Sequence, residues 1–154
     1  MIQFVDFVSA AKIEAMQGDS RWAVISITDP GSSDTRIPRG FGPVLRLKFD
    51  DLDDESIAGG SEGLVFSPSD ADAVLNFLAD AHRNTAIHGV IVHCEMGRSR
   101  SGAIAWYALS YGGEMVNSRR IDGYNNLVLK TLESVGGRSL PRPTTLLVPS
   151  GFWL

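Results

Sequence analysis

The sequence holds one cysteine, Cys94, and six positions beyond it stands Arg100. Between them run Glu95, Met96, Gly97, Arg98 and Ser99, and Ser101-Gly102 follow. A thiolate is a strong nucleophile, and a planar guanidinium can hold two oxygens of one phosphoryl group. Together they point to displacement at phosphorus through a covalent sulfur intermediate. Gly97 permits a backbone turn and a close approach that a side chain would block. Ser101 can donate a hydrogen bond to the sulfur as it departs from phosphorus.

Such residues need a scaffold that aims them at one point. Gly89-Val90-Ile91-Val92-His93 reads as a strand buried on both faces. The stretch from Ser101 to Tyr111 is apolar nearly all round and reads as a core helix. The cysteine loop therefore lies at the carboxyl end of a strand, where open α/β sheets bind ligands. A tight loop there turns successive N–H groups toward one place, and the helix that follows adds its positive end. That cradle suits a phosphoryl dianion and favours a thiolate over a thiol.

The rest of the chain supplies companions for this strand and helix. Ser9 is placed to cap a short helix to Met16, with Gly18 beyond it. Trp22 to Ile27 reads as a strand stopped at Asp29-Pro30-Gly31, and Val44 to Phe49 alternates as a half-buried strand. The span Ser69 to Arg83 is a helix with Ser69 and Asp72 as a capping pair. A further helix runs from Asp122 to Val135, ended by Gly136-Gly137. The stretches 31–34 and 50–63 read as loops, and Pro141 to Leu154 is assigned no element. The pattern predicts one α/β domain over 1–154, with a largely parallel central sheet and helices on both faces.

The sequence His93-Cys94, five residues, then Arg100-Ser101 resembles the signature of the protein tyrosine phosphatase superfamily. Gly97-Arg98-Ser99-Arg100-Ser101 is similar to the form typical of its dual-specificity members. The resemblance covers roughly Trp22 to Leu132, and its specific part is the loop 93–101. It implies a phosphatase-like fold, a phosphocysteine intermediate and hydrolysis of phosphomonoesters without a metal or other cofactor. Phosphotyrosine is the first substrate class it suggests, with phosphoserine and phosphothreonine after it. It assigns Cys94 as nucleophile, Arg100 and the loop 95–100 to phosphate, and His93 to holding the loop backbone.

Members also carry an aspartic acid after a strand and ahead of a helix, which protonates the leaving oxygen. Asp51, four places beyond Leu47, matches that spacing, with Asp50, Asp53 and Asp54 as rivals. Its interval to Cys94 is longer than usual. Asn125 resembles an asparagine that steadies the loop, although Tyr124 stands where many members have proline. No Trp-Pro-Asp triplet is present, which argues against the larger tyrosine-specific subgroup.

Two other readings compete. Asp50 to Asp54 also suggests a magnesium-dependent, aspartate-nucleophile phosphatase, but Glu55 stands where that family has Thr or Val. A phosphate-binding module without turnover is the other, although Cys94 and Arg100 are both kept. Glu95 and Met96, in place of lysines, disfavour polyanionic inositol phosphates. His82 and His88 read as surface residues, and Trp106 and Tyr107 as packing. A net charge of −4 excludes a basic field for nucleic acid or an anionic membrane. No apolar run reaches the ~18–20 residues of a bilayer span. A lone cysteine without an export signal points to a reducing cytoplasm.

Overall fold

The computed structural model describes residues 1–116 and 121–143. Five strands form one all-parallel sheet: β1 (Phe4–Ser9), β2 (Trp22–Thr28), β3 (Val44–Lys48), β4 (Gly89–Cys94) and β5 (Glu114–Met115). Their order across the sheet is β3-β2-β4-β1-β5. The helices are α1 (Ala10–Glu14), α2 (Asp54–Ala58), α3 (Pro68–Arg83), α4 (Arg100–Leu109) and α5 (Asn126–Gly136). The α/β class and parallel sheet are those predicted.

Strand alternation divides the core in two. Val5, Phe7, Ile25, Val90 and Val92 point to one face, where α3, α4 and α5 complete the main core. Val8, Val24 and Ile91 point to the other, where Ile13 of the short α1 covers them. Strand β4 is the centre: all six of its residues are buried, with β1 and β2 paired along its two edges. Helix α4 behind it is buried along its whole length. Trp106 and Tyr107 are packing residues of this helix.

Several boundaries differ from the sequence reading, each for a local reason. Ser9 caps α1 as expected, accepting from the Lys12 N–H, but the helix stops at Glu14. Helix α3 starts from Ser67 and Asp70, which form a reciprocal capping box, and not from Ser69 and Asp72. Pro68 at the first helical position decides this, because its fixed φ suits that place. Helix α5 starts at the Asn125 cap and not at Asp122, and ends at Gly137 with φ +67°. Strand β1 had no counterpart in the reading, nor did α2, which lies inside the expected loop 50–63. His82 is half-buried and accepts from the Ile2 N–H, so it is no free surface residue. Of the segment 141–154, residues 144–154 lie outside the described residues. Among the described residues no helix is long and apolar enough to cross a membrane.

Candidate active site

Four strand ends converge on one spot. Strand β4 ends at Cys94, β1 runs into Ser9 beside it, and the chain leaves β2 at Asp29 and β3 at Phe49. A cavity of about 330 Å³ opens there, lined by Asp51, Cys94, Met96, Arg98, Ser99, Arg100 and Gly123.

The cysteine loop is held from behind. The Ala10 N–H donates to the Glu95 carbonyl at 3.2 Å, tying the loop to the start of α1. Gly97 adopts φ +68°, and a Cβ there would overlap the backbone of Val8 and Ser9. Glycine is thus required twice, by conformation and by close approach. A left-handed residue inside such a loop is also what turns neighbouring N–H groups to one side.

His93 is fully buried and its ring has a defined tautomer. Nδ1 faces the Cys94 carbonyl at 3.3 Å, which can only accept, so Nδ1 carries the hydrogen. Nε2 then accepts from the Ser26 hydroxyl at 2.6 Å, and Arg46 donates to that same Ser26 oxygen at 3.4 Å. Burial, chiefly, lowers the His93 pKa, while the Cys94 carbonyl opposes this. A neutral imidazole therefore props the backbone at Cys94.

The Cys94 sulfur is 3.1 Å from the Ser101 hydroxyl, and both are buried. Arg100, 5% exposed, begins α4. Its Nη1 donates to the Phe49 carbonyl and to Asp29 Oδ1, each at 2.8 Å, and its Cζ lies 6.0 Å from the Phe49 ring centre. Its Nε is buried, with no hydrogen-bond partner among the described residues. A buried guanidinium donor without an acceptor is costly unless something completes it. Nη1 anchors the fork while Nε stays available to an oxyanion in the cavity that Arg100 lines.

The opposite wall is the segment after β3. Asp51 Oδ1 accepts from the Ser99 hydroxyl at 2.7 Å and from Asn125 Nδ2 at 2.9 Å. Asn125 is buried; its Nδ2 also reaches the Leu52 carbonyl, and its N–H donates to the Ser99 carbonyl. It binds the acidic segment, the cysteine loop and the start of α5 together.

The three rival carboxylates are placed elsewhere. Asp50 accepts from the Leu64 N–H and closes the loop 50–64. Asp53 caps α2 through Ser56, a pair of hydrogen bonds that lowers its pKa. Asp54 pairs with Lys130. Of these four acids, only Asp51 lines the cavity. Among the described residues no group of three or more His, Cys, Asp or Glu side chains is placed to hold a metal ion.

The remaining loop residues form the rim. Met96 is 79% exposed, Glu95 is exposed, and Arg98 lies against Gly123 and pairs with Asp122 at 3.3 Å. Sequence reasoning missed Asp29 and Ser26. Asp29 was read only as a strand stop, and Ser26 sits on β2, whose register against β4 places it beside His93. No protein-family model matches the chain, and no curated protein is similar to it. Among solved structures, the chain is similar to the human tyrosine phosphatase-like serine/threonine/tyrosine-interacting protein, at 18% identity and a TM-score of 0.40, over 75% of this chain and 76% of that one.

Proposed function

We propose that the chain is a cysteine-dependent phosphatase of phosphomonoesters, with phosphotyrosine on proteins as its first substrate class and phosphoserine or phosphothreonine as its second. The observation that carries this reading is the shared cavity: Cys94 and Arg100 on one wall, and Asp51 on the other. Arg100 adds a buried Nε donor that no group among the described residues satisfies.

The Cys94 thiolate attacks phosphorus, and the bond from phosphorus to the leaving oxygen breaks with its electron pair on oxygen. That oxygen takes a proton from the Asp51 carboxyl. Water then attacks the phosphocysteine and gives a proton to Asp51, while the P–S bond returns its electrons to sulfur. Ser101, 3.1 Å away, donates to the sulfur as it leaves. Arg100 and the loop N–H groups balance charge on the equatorial oxygens, so no metal is needed.

A cavity of about 330 Å³ is at the small end for ligand sites. It fits one phosphoryl group with its immediate ester. Met96 offers an apolar rim to an aryl ring, and Glu95 repels further phosphates.

The test is hydrolysis of an aryl phosphate by wild type and by Cys94→Ser, with and without EDTA. The expected result is EDTA-insensitive turnover that disappears in Cys94→Ser, and inhibition by vanadate. A Cys94→Ser variant keeping more than about a tenth of the rate would exclude the covalent route. Loss in EDTA with recovery on adding Mg²⁺ would transfer the chemistry to the Asp50–Asp54 segment. Vanadate binding with no hydrolysis by wild type would identify a binding module.

A further inference from the structure

We infer that Ser99 is a positioning residue for Asp51, fixing which carboxylate oxygen carries the proton that is transferred. The inference rests on the phosphatase reading above and assigns a further residue to it.

Ser99 occupies the N-cap of α4, where a serine side chain ordinarily accepts from an N–H of the first helical turn. It makes no such bond. Its hydroxyl instead donates across the cavity to Asp51 Oδ1 at 2.7 Å. The backbone of Ser99 is already helical, at φ −82° and ψ −72°, which turns its side chain away from the cap and toward the opposite wall.

The second donor on the same oxygen is Asn125 Nδ2 at 2.9 Å. A carboxylate oxygen has two lone pairs in the carboxyl plane, and two donors occupy them. A proton on Oδ1 would then face an O–H and an N–H, both donors. The neutral acid therefore carries its proton on Oδ2. Asn125 is anchored at every polar atom: its Oδ1 accepts from the Val128 N–H, and its Nδ2 also reaches Leu52. Ser99 lies on the same loop as the nucleophile. Its bond to Asp51 ties the proton donor directly to the wall that bears the phosphoryl group.

Loss of the hydroxyl leaves the backbone link intact, because the Asn125 N–H donates to the Ser99 carbonyl at 3.0 Å. Ser99→Ala should therefore loosen the acid more than it disturbs the loop. The measurement is kcat/KM for two esters: phosphotyrosine, whose leaving group needs the proton, and a dinitrophenyl phosphate, whose leaving group does not. The readout is the ratio of the two rates.

Ser99→Ala should lower that ratio by roughly ten- to hundredfold, the scale of a misplaced catalytic group. Ser99→Thr, which keeps a hydroxyl, should restore most of it. In an Asp51→Asn background Ser99→Ala should change the ratio no further, since the two act as one unit. Equal losses on both esters, or the full ratio change persisting without the Asp51 carboxyl, would overturn the assignment. Should Ser99→Ala not fold, Ser99→Gly removes the same hydroxyl and suits a helix N-cap, with the same outcomes. Failure of wild type to hydrolyse either ester overturns the phosphatase reading and the Ser99 role together. Wild-type turnover with an unchanged ratio in the variant overturns Ser99 alone.

Discussion

The loop from Cys94 to Arg100 and the segment from Phe49 to Leu64 face each other across one cavity, and they are held by different means. The first is anchored by burial: Cys94, Gly97 and Arg100 are out of water, backed by His93 and the β1–α1 junction. The second is tied by side chains in contact with water: Asp50 to Leu64, Asp53 to Ser56, Asp54 to Lys130, and Asp51 to Ser99. In the proposed mechanism the nucleophile must stay fixed against an anion that it also repels, and burial gives that rigidity. A proton donor needs only its orientation fixed, and hydrogen bonds from the opposite wall supply it. Changes on the first wall should therefore cost both fold and rate, and loss of the Asp51 carboxyl on the second should cost rate alone.

The largest separation of the two effects should come from Asp51→Asn. It should slow phosphotyrosine hydrolysis by ~10²–10⁴, the usual span of general acid catalysis, with little change in thermal unfolding. The basic limb of the kcat/KM profile should vanish in this variant. Asp50→Asn, Asp53→Asn and Asp54→Asn serve as controls, and loss of that limb in one of them would move the acid there.

Arg100→Lys comes next. A lysine keeps the charge but cannot reach Phe49, Asp29 and two phosphoryl oxygens at once. The rate should fall by roughly 10²–10³, as when a transition-state donor is removed, and nearly as far as in Arg100→Ala. Thermal unfolding should also shift downward, because the Phe49 carbonyl is buried beside it. A lysine variant with near-normal rates would reduce Arg100 to a diffuse charge.

Gly97→Ala tests the buried wall without touching a reacting atom. The left-handed φ alone costs about 1–2 kcal/mol, and the overlap with Val8 and Ser9 adds to it. Denaturant unfolding should show a destabilisation of about 2 kcal/mol or more, together with loss of rate. Gly63 on the other wall is also at positive φ, +153°, and a Cβ there would meet chiefly the Asp50 side chain, so the disturbance from Gly63→Ala should stay nearly confined to that loop.

The smallest effect is a pH slope from His93, whose folded pKa is depressed by burial. The unfolded chain then binds the proton more readily than the folded one. Stability from this group is complete above the unfolded value, about 6.5, and declines as pH falls below it. Midpoints of thermal unfolding across pH 5 to 8 should show the decline, and His93→Asn should flatten it.

Much of the buried wall was legible in the sequence, because burial leaves a local mark. An unbroken apolar run gave β4, an apolar helix gave α4, and the Cys-to-Arg spacing lay on one short loop between them. The exposed wall was only half legible. Asp51 was chosen by its distance from the end of β3, while α2 escaped notice, since five residues are too few to display a helical period. The Ser67-Pro68 start of α3 did carry a signal, a serine before a proline with Asp70 three places on, and the later Ser69–Asp72 pair hid it. Strand β1 was missed because Asp6 interrupts its apolar run, and its state comes from pairing on both edges. The Asp29–Arg100 and Ser26–His93 bonds join residues with no sequence spacing to betray them. Tertiary pairing alone brings them together.

The placement of β1 has a consequence for how the loop from Cys94 to Arg100 comes into being. This strand is made before either of its partners, yet it pairs Val5 with Val90 and with Met115. Gly97 and Glu95 then rest on its last residue, Ser9, and on Ala10 just beyond it. Such long-range parallel pairing is slow to form, because loop closure must be met before any contact repays it. On the ribosome the early strand waits, unpaired, until the centre of the sheet has emerged. The proposed site is therefore among the last features to take shape as the chain folds.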